Sequence, residues 1–289
     1  MIKRTMIFAA CALILMGCNT QNKEEKVTST TNNQNTEVVL SSQVNWSPLN
    51  AARGDASPQA GDLWGNRKEN QASGFLVKFK EGFSSPPHIH NITYRGIVIK
   101  GSLHNDDPNA KSMWMPQGSF WTQPAGEGHI TAANASENMA YVEIDSGPYL
   151  VKPEDQAFEN EEKPINIHKS NLVWIEASDL QWTNLNTNDK SRNKPEIAFL
   201  WGQPNSNDSS GALIKLPSGF SGTFEASGKE FRAIVIGGNL AYKASKSKEL
   251  DPGSYFGSTD NASHIIMNES SEPVILYIKS TGAYQLLSE

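Results

Sequence analysis

Residues 86–96 read PPHIHNITYRG and residues 118–130 read GSFWTQPAGEGHI. Side chains two apart on a β-strand face the same side, so His88 and His90 can address one object. His129 follows a Pro/Gly turn at 124–126 and can be delivered by a later strand. A His-x-His pair alone is more simply two satisfied core or surface histidines. With a third imidazole from a distant strand, the pattern points to a divalent transition metal with positions left open for water or a small molecule. Imidazole donors suit zinc or iron first, with nickel, copper and manganese also open.

The region around these segments is written twice. Leu63-Trp64-Gly65 recurs as Leu200-Trp201-Gly202, an offset of 137 residues. At that offset SGFLVKFKEGFS (73–84) lies on SGALIKLPSGFS (210–221), and YRGIVIKGSL (94–103) lies on FRAIVIGGNL (231–240). After a two-residue slip, GSFW (118–121) lies on GSYF (253–256), and His129-Ile130 lies on His264-Ile265. Runs such as GFLVKF, RGIVIKG and AYVEID are short, β-branched or aromatic, and punctuated by Gly, Pro, Asn and Asp, which predicts an all-β sandwich or jelly roll. The expected organisation is a leader at 1–17, a tether at 18–40, a first unit at 41–152, a charged, proline-bearing link at 153–170 and a second unit at 171–289.

The leader has Lys3 and Arg4 before an apolar run too short to span a bilayer comfortably, then Leu15-Met16-Gly17-Cys18. That ending resembles a bacterial lipobox, which implies cleavage and lipidation of Cys18. Asn19 is not the aspartate that favours inner-membrane retention, so the expected place is the cell envelope, on the outer membrane facing the periplasm. Cys11 leaves with the leader, so the folded part has no disulfide and must rest on its core. The whole chain carries 25 basic and 31 acidic residues. Losing Lys3 and Arg4 takes the net charge from −6 to −8. That disfavours nucleic acid as a partner and leaves the anchor as the only membrane attachment. The polar stretch NTQNKEEKVTSTTNNQNTEVV (19–39) reads as a flexible tether with a reach of about 25 Å.

The histidine segments resemble the cupin family. Its second motif, a glycine, five residues, then Pro-x-Gly-x-x-His, is matched from Gly118 through Pro124 and Gly126 to His129. Its first motif is matched at His88, His90 and Gly101 but not at its glutamate, where Tyr94 stands with Arg95 beside it. Since both repeats are covered, the chain resembles a bicupin, and more narrowly the two-repeat cupins related to the cupin-like domain of ChrR-type anti-sigma factors. The resemblance implies two tandem jelly-roll units, with the metal in the mouth of a small barrel.

Without the glutamate, three neutral histidines leave a bound metal its full charge, which favours anionic ligands. Tyr94 is open to three parts: phenolate ligand, hydrogen-bond donor in the ligand pocket, or core like its repeat partner Phe231. Gln123 is a further pocket residue, and Trp121 can face either side. Glu127, in the second motif, and Glu143, in AYVEID, are the candidate acid/base residues for catalysis. His104 reads as a surface histidine. Arg95 recurs as Arg232, which suggests a structural role. In the second unit Glu225 is expected at the place of His88 and Ser227 at that of His90, so only His264 keeps its type and the unit reads as a degenerate cupin.

Three functions fit: a metal-dependent dioxygenase, hydrolase or isomerase acting on a small polar or anionic molecule, a sensory module that binds without turnover, or a metal-free structural barrel. A homodimer is left open. The lipobox reading predicts that labelled palmitate marks the wild-type protein in cells and that Cys18→Ala removes the label; equal labelling of both would refute it.

Overall fold

A computed structural model describes residues 35–184, 194–244 and 246–288. The expected leader, Cys18 and most of the expected tether lie outside these residues. The fold is all-β, with two jelly-roll units in tandem.

Each unit has a seven-stranded antiparallel sheet, and the two match strand for strand. In the first the order is Ile165–Ile167, Phe120–Gln123, Tyr94–Lys100, Asn138–Ile144, Ser73–Phe79, Gln59–Trp64 and Ser47–Pro48. In the second it is Thr36–Val39, Tyr255–Thr259, Glu230–Gly237, Val274–Thr281, Ser209–Leu216, Glu196–Trp201 and Ile175–Glu176. The facing sheet of the second barrel is six-stranded. In the first barrel that side is lighter: a three-stranded sheet of Ile130–Ala133, Ser102–Asp106 and Met115–Pro116, and the pair Val151–Pro153 with His88–His90.

The leading strand of each unit belongs to the other. Thr36–Val39 precedes the first unit but pairs with Tyr255–Thr259 of the second. Ile165–Ile167 precedes the second unit but pairs with Phe120–Gln123 of the first. One expected boundary is thereby corrected, because the stretch expected to be tether ends in a paired strand. The expected link at 153–170 contributes the strand Ile165–Ile167 to the first barrel's sheet.

Apolar residues fill three clusters. Phe75, Val77, Val98, Ala140 and Val142 point into the first barrel. Their strand neighbours Leu76, Ile97, Ile99 and Tyr141 point the other way, onto Leu213, Ile234, Ile236 and Tyr277 of the second unit. The large sheets are therefore packed back to back and buried on both faces, which is why their strands read as unbroken apolar runs. The third cluster, with Phe224, Phe231, Phe256 and Tyr284, fills the second barrel.

Polar groups inside the join are paired across it. Trp64 Nε1 donates to Tyr141 Oη and Trp201 Nε1 to Tyr277 Oη, each at 3.0 Å. Both tyrosines then donate to the buried carboxylate of Glu143, at 3.1 and 2.8 Å. The Arg95 guanidinium lies 3.7 Å from the centre of the Trp201 ring, and Arg232 lies 4.9 Å from that of Trp64. The two arginines thus have matching structural parts, each stacked on the other unit's tryptophan. Gly74 and Gly211 leave room for the two indoles, since a Cβ at either would overlap the ring nitrogen.

Asp145 accepts from Arg95 at 2.7 Å and from Lys279 at 2.5 Å. Burial would raise its pKa, but the two cations outweigh burial and hold it at about 2. A carboxyl with a depressed folded-state pKa stabilises above its ordinary value of 3.8 and stops doing so as pH falls towards the folded value. Asp145→Asn should therefore unfold at lower urea concentration than wild type at pH 7. Because the side chain is half exposed, the gap should be modest, and it should narrow steadily below about pH 4. A gap that stays constant from pH 7 to pH 3 would show that the ion cluster does not contribute.

Candidate metal centre

The strand His88–His90 forms half of the short two-stranded pair, and its first residue bridges directly to His129 on the segment beside it. His88 and His90 project from one face, as their spacing predicts. His88 N–H donates to the His129 carbonyl and His129 N–H to that of His88, each at 3.0 Å, which fixes the register. The ligating atoms that the three imidazoles offer all lie within 4.8 Å of one another.

The backbone also decides which nitrogen faces inward. Nδ1 of His88 lies 3.0 Å from the Pro86 carbonyl, that of His90 3.1 Å from Leu150, and that of His129 3.1 Å from Glu127. A carbonyl only accepts, so each Nδ1 carries the proton and each Nε2 keeps a lone pair. Such outer hydrogen bonds commonly orient a metal-binding imidazole. Burial pushes all three below the ordinary histidine value, His90 well below and His129 to about 3, and their mutual repulsion adds to this at His90 and His129. They are neutral donors at physiological pH, which is the form that a metal requires.

Two phenols crowd the cluster. Tyr94 Oη is 3.0 Å from Asn105 Oδ1 and 3.3 Å from His129 Nε2, and Tyr149 Oη is 3.2 Å from His90 Nε2. Burial raises the pKa of both tyrosines, which favours the neutral phenol. Tyr94 is at once core and hydrogen-bond donor. Gln123 lies one step further out: its Oε1 accepts from Asn105 Nδ2 at 3.0 Å and its Nε2 donates to the Glu127 carbonyl at 3.2 Å.

The structure does not bring the candidate carboxylates to the histidines. Glu143 is on the opposite face of its strand, in the join between the units, because Val142 takes the inward place. Burial raises its pKa while Lys279 and Arg95 oppose the rise. Glu127 meets the site through its carbonyl oxygen, on His129 and Gln123. His104, expected at the surface, is buried, accepting from the Met113 N–H at 3.3 Å with the Trp114 ring against it.

Asn105, Thr131 and Tyr149 were not legible as site residues. Asn105 had a faint signal, since alternation from Leu103 puts it on the inward face. It is the hub of the polar floor: Oδ1 accepts from Tyr94 and, at 2.7 Å, from Thr131 Oγ1. Above the floor lies a cavity of about 350 Å³ with mostly apolar walls, among them Val77, Phe79, Phe83 and Val142.

Among the described residues the second barrel has no such cluster. His264 is sealed: Nδ1 is 2.9 Å from Tyr242 Oη, Nε2 is 3.0 Å from Ser258 Oγ, and Phe231 stacks on the ring. The register also corrects the repeat alignment. Phe224, not Glu225, stands opposite His264 as His88 stands opposite His129. Ala226 then takes the place of His90. The first copy pairs Ser84 with Ala132 and His88 with His129, which leaves one extra residue in its Ser85-Pro86-Pro87 segment; the second copy runs from Ser221 to Ala226 without a break. Glu225 consequently faces away from His264, accepting from Ser263 Oγ at 2.7 Å.

A family described as a domain of unknown function, DUF4437, matches residues 37–287, nearly all of this two-barrel body. The chain belongs to that family. No curated protein matches this DUF4437 chain in sequence. Its fold is shared by cupin-fold structures. A candidate dioxygenase from Nostoc punctiforme superposes with a TM-score of 0.63 at 13% identity, over 86% of this chain and 83% of that one. The Escherichia coli protein YlbA, of family DUF861, gives 0.57 at 13%, over 85% and 90%. Oxalate decarboxylase from Lactobacillus farciminis, solved with formate, gives 0.54 at 13%, over 89% and 88%. At such identities the likeness carries the fold alone.

Replacing Asn105 should expose how far the floor depends on it. Asn105→Ala leaves buried donors and acceptors of Tyr94, Thr131 and Gln123 without their shared partner, and should cost about 1–3 kcal/mol in urea unfolding. A loss within error of zero would mean that these groups re-pair at no cost.

Proposed function

We propose that this chain is a lipid-anchored cupin of the cell envelope that holds one divalent transition metal through His88, His90 and His129 and acts as a metal-dependent enzyme on a small molecule. The supporting observation is the convergence of the three imidazoles, whose ligating atoms lie within 4.8 Å of one another while every Nδ1–H is given to a backbone carbonyl. Imidazole nitrogen suits zinc, iron, nickel or copper, while manganese more often takes oxygen donors. A metal bound there would act as a Lewis acid that polarises an oxygen ligand or activates water. The residues of the chain bind and exclude. The floor of Tyr94, Asn105, Thr131 and Gln123 holds the histidine strands in register, and the apolar walls keep bulk water from the ligand.

The chemistry is of the dioxygenase, hydrolase or isomerase class. Among these, oxidative chemistry is favoured because, among the described residues, no Asp or Glu lines the cavity to move a proton. That same lack of a carboxylate, with Tyr94 in the place of the cupin glutamate, supports a second reading as a sensory module that binds metal and ligand without turnover. The anchor at Cys18 and the outer-membrane, periplasm-facing location belong to the proposal and rest on the leader sequence. No helix among the described residues is long and apolar enough to cross a membrane.

Protein purified without chelator should carry about one transition metal per chain by elemental analysis, and His129→Ala should carry less than about a tenth of that. Chelation should lower the Tm of wild type and leave that of His129→Ala unchanged. Wild-type protein that lacks metal, and whose Tm ignores added zinc, iron(II) and manganese, would overturn the reading.

A further inference from the structure

The buried Nε1–H of Trp121 makes no well-formed hydrogen bond, with only the already engaged Tyr94 hydroxyl near it, although the indole lines the cavity above the histidines. An unmet buried donor costs about as much as a lost hydrogen bond, so a poorly satisfied N–H at a cavity wall gains from an acceptor brought by a ligand. The ring is held from behind by Gly96, where a Cβ would overlap the indole. Tyr149 offers a second donor. Its hydroxyl is spent on the Nε2 lone pair of His90, and that lone pair cannot serve a metal and a phenol together. Tyr94 differs, because it has Asn105 to donate to in either case.

The charges at the cavity agree. Arg53 and Lys152 line it, no Asp or Glu does, and no salt bridge involves either cation among the described residues. Arg53 leans over the Phe83 ring, 5.9 Å from its centre, and its charge is felt at His88. Walls of Val77, Phe79, Phe83 and Val142 supply no polar partner for a hydrophilic ligand body.

We infer that the cavity binds a small organic carboxylate with an apolar body, its oxygens received by Trp121 Nε1–H and Tyr149 Oη–H beside the metal, its body against the apolar wall, and Arg53 and Lys152 drawing it in. This rests on the metal reading and adds the ligand class. Two neutral donors and two unpaired cations discriminate by charge. A carboxylate satisfies them, whereas the matching amide brings its own donors and no charge, and a cation is repelled.

Calorimetric titration of the metal-loaded full chain with benzoate, hexanoate, benzamide and benzylamine tests this, with metal content measured on the same sample. Benzoate or hexanoate should bind, with benzamide at least about tenfold weaker and benzylamine absent. Trp121→Phe, which keeps the aromatic wall, should weaken the carboxylate about tenfold with metal content unchanged, and Tyr149→Phe should act in the same direction. Arg53→Ala combined with Lys152→Ala should weaken it more at low salt than at high salt. If metal is present and neither carboxylate binds at millimolar concentration, or benzamide binds as tightly, or Trp121→Phe binds undiminished, the inference is overturned while the metal site stands. If metal is absent, the metal reading falls, and the inference falls with it.

Discussion

The burial of both faces of two seven-stranded sheets is the constraint on which everything else hangs. Each sheet gives one face to its own barrel and the other to its twin, so nearly every residue of Tyr94–Lys100 and Asn138–Ile144 is buried on one side or the other. Apolar area removed from water contributes about 25 cal/mol per Å², and here it is gained twice along one strand. The cost is that any polar side chain on the inner join must be matched there. Glu143 is the clearest case. Its carboxylate takes a hydroxyl from each unit and has Arg95 within 3.9 Å. A buried ion without such company would cost several kcal/mol.

With both sheets pinned, the barrel interiors are free to differ, and they do. The second is packed with aromatic rings, and its single histidine is closed by a phenol and a hydroxyl. The first is hollow, lined by groups whose hydrogen bonds are only partly internal. One extra residue before His88 separates the two outcomes, since it sets which face of the strand looks across at the His129 position. The second unit thus contributes packing, and the first holds the candidate metal site.

Much of this was legible in the chain. The offset of 137 residues exposed the two copies, the β-rich punctuated runs gave the all-β fold, and the spacing of His88, His90 and His129 assembled the cluster. What escaped has physical causes. Whether Glu143 looks inward depends on what covers the outer face, and AYVEID is apolar enough to be buried on either side. Asn105 and Tyr149 have no motif, because their roles come from where the barrel wall passes and not from a fixed distance to a histidine. The repeat alignment misplaced Glu225 because a one-residue bulge leaves the hydrophobic pattern of its neighbours unchanged while turning every side chain after it to the other face.

The exchanged leading strands tie an early strand to a late one. Thr36 is paired with Ser258, so in a nascent chain the strand Thr36–Val39 must wait for its partner until most of the second unit has been made. Loop closure over such a separation is slow and is rewarded only at completion. A chain interrupted after the first barrel would hold a loose leading arm and a naked apolar sheet, both prone to pairing with strangers. The arrangement therefore acts as a completeness check: only a full-length chain can hide its own sticky edges.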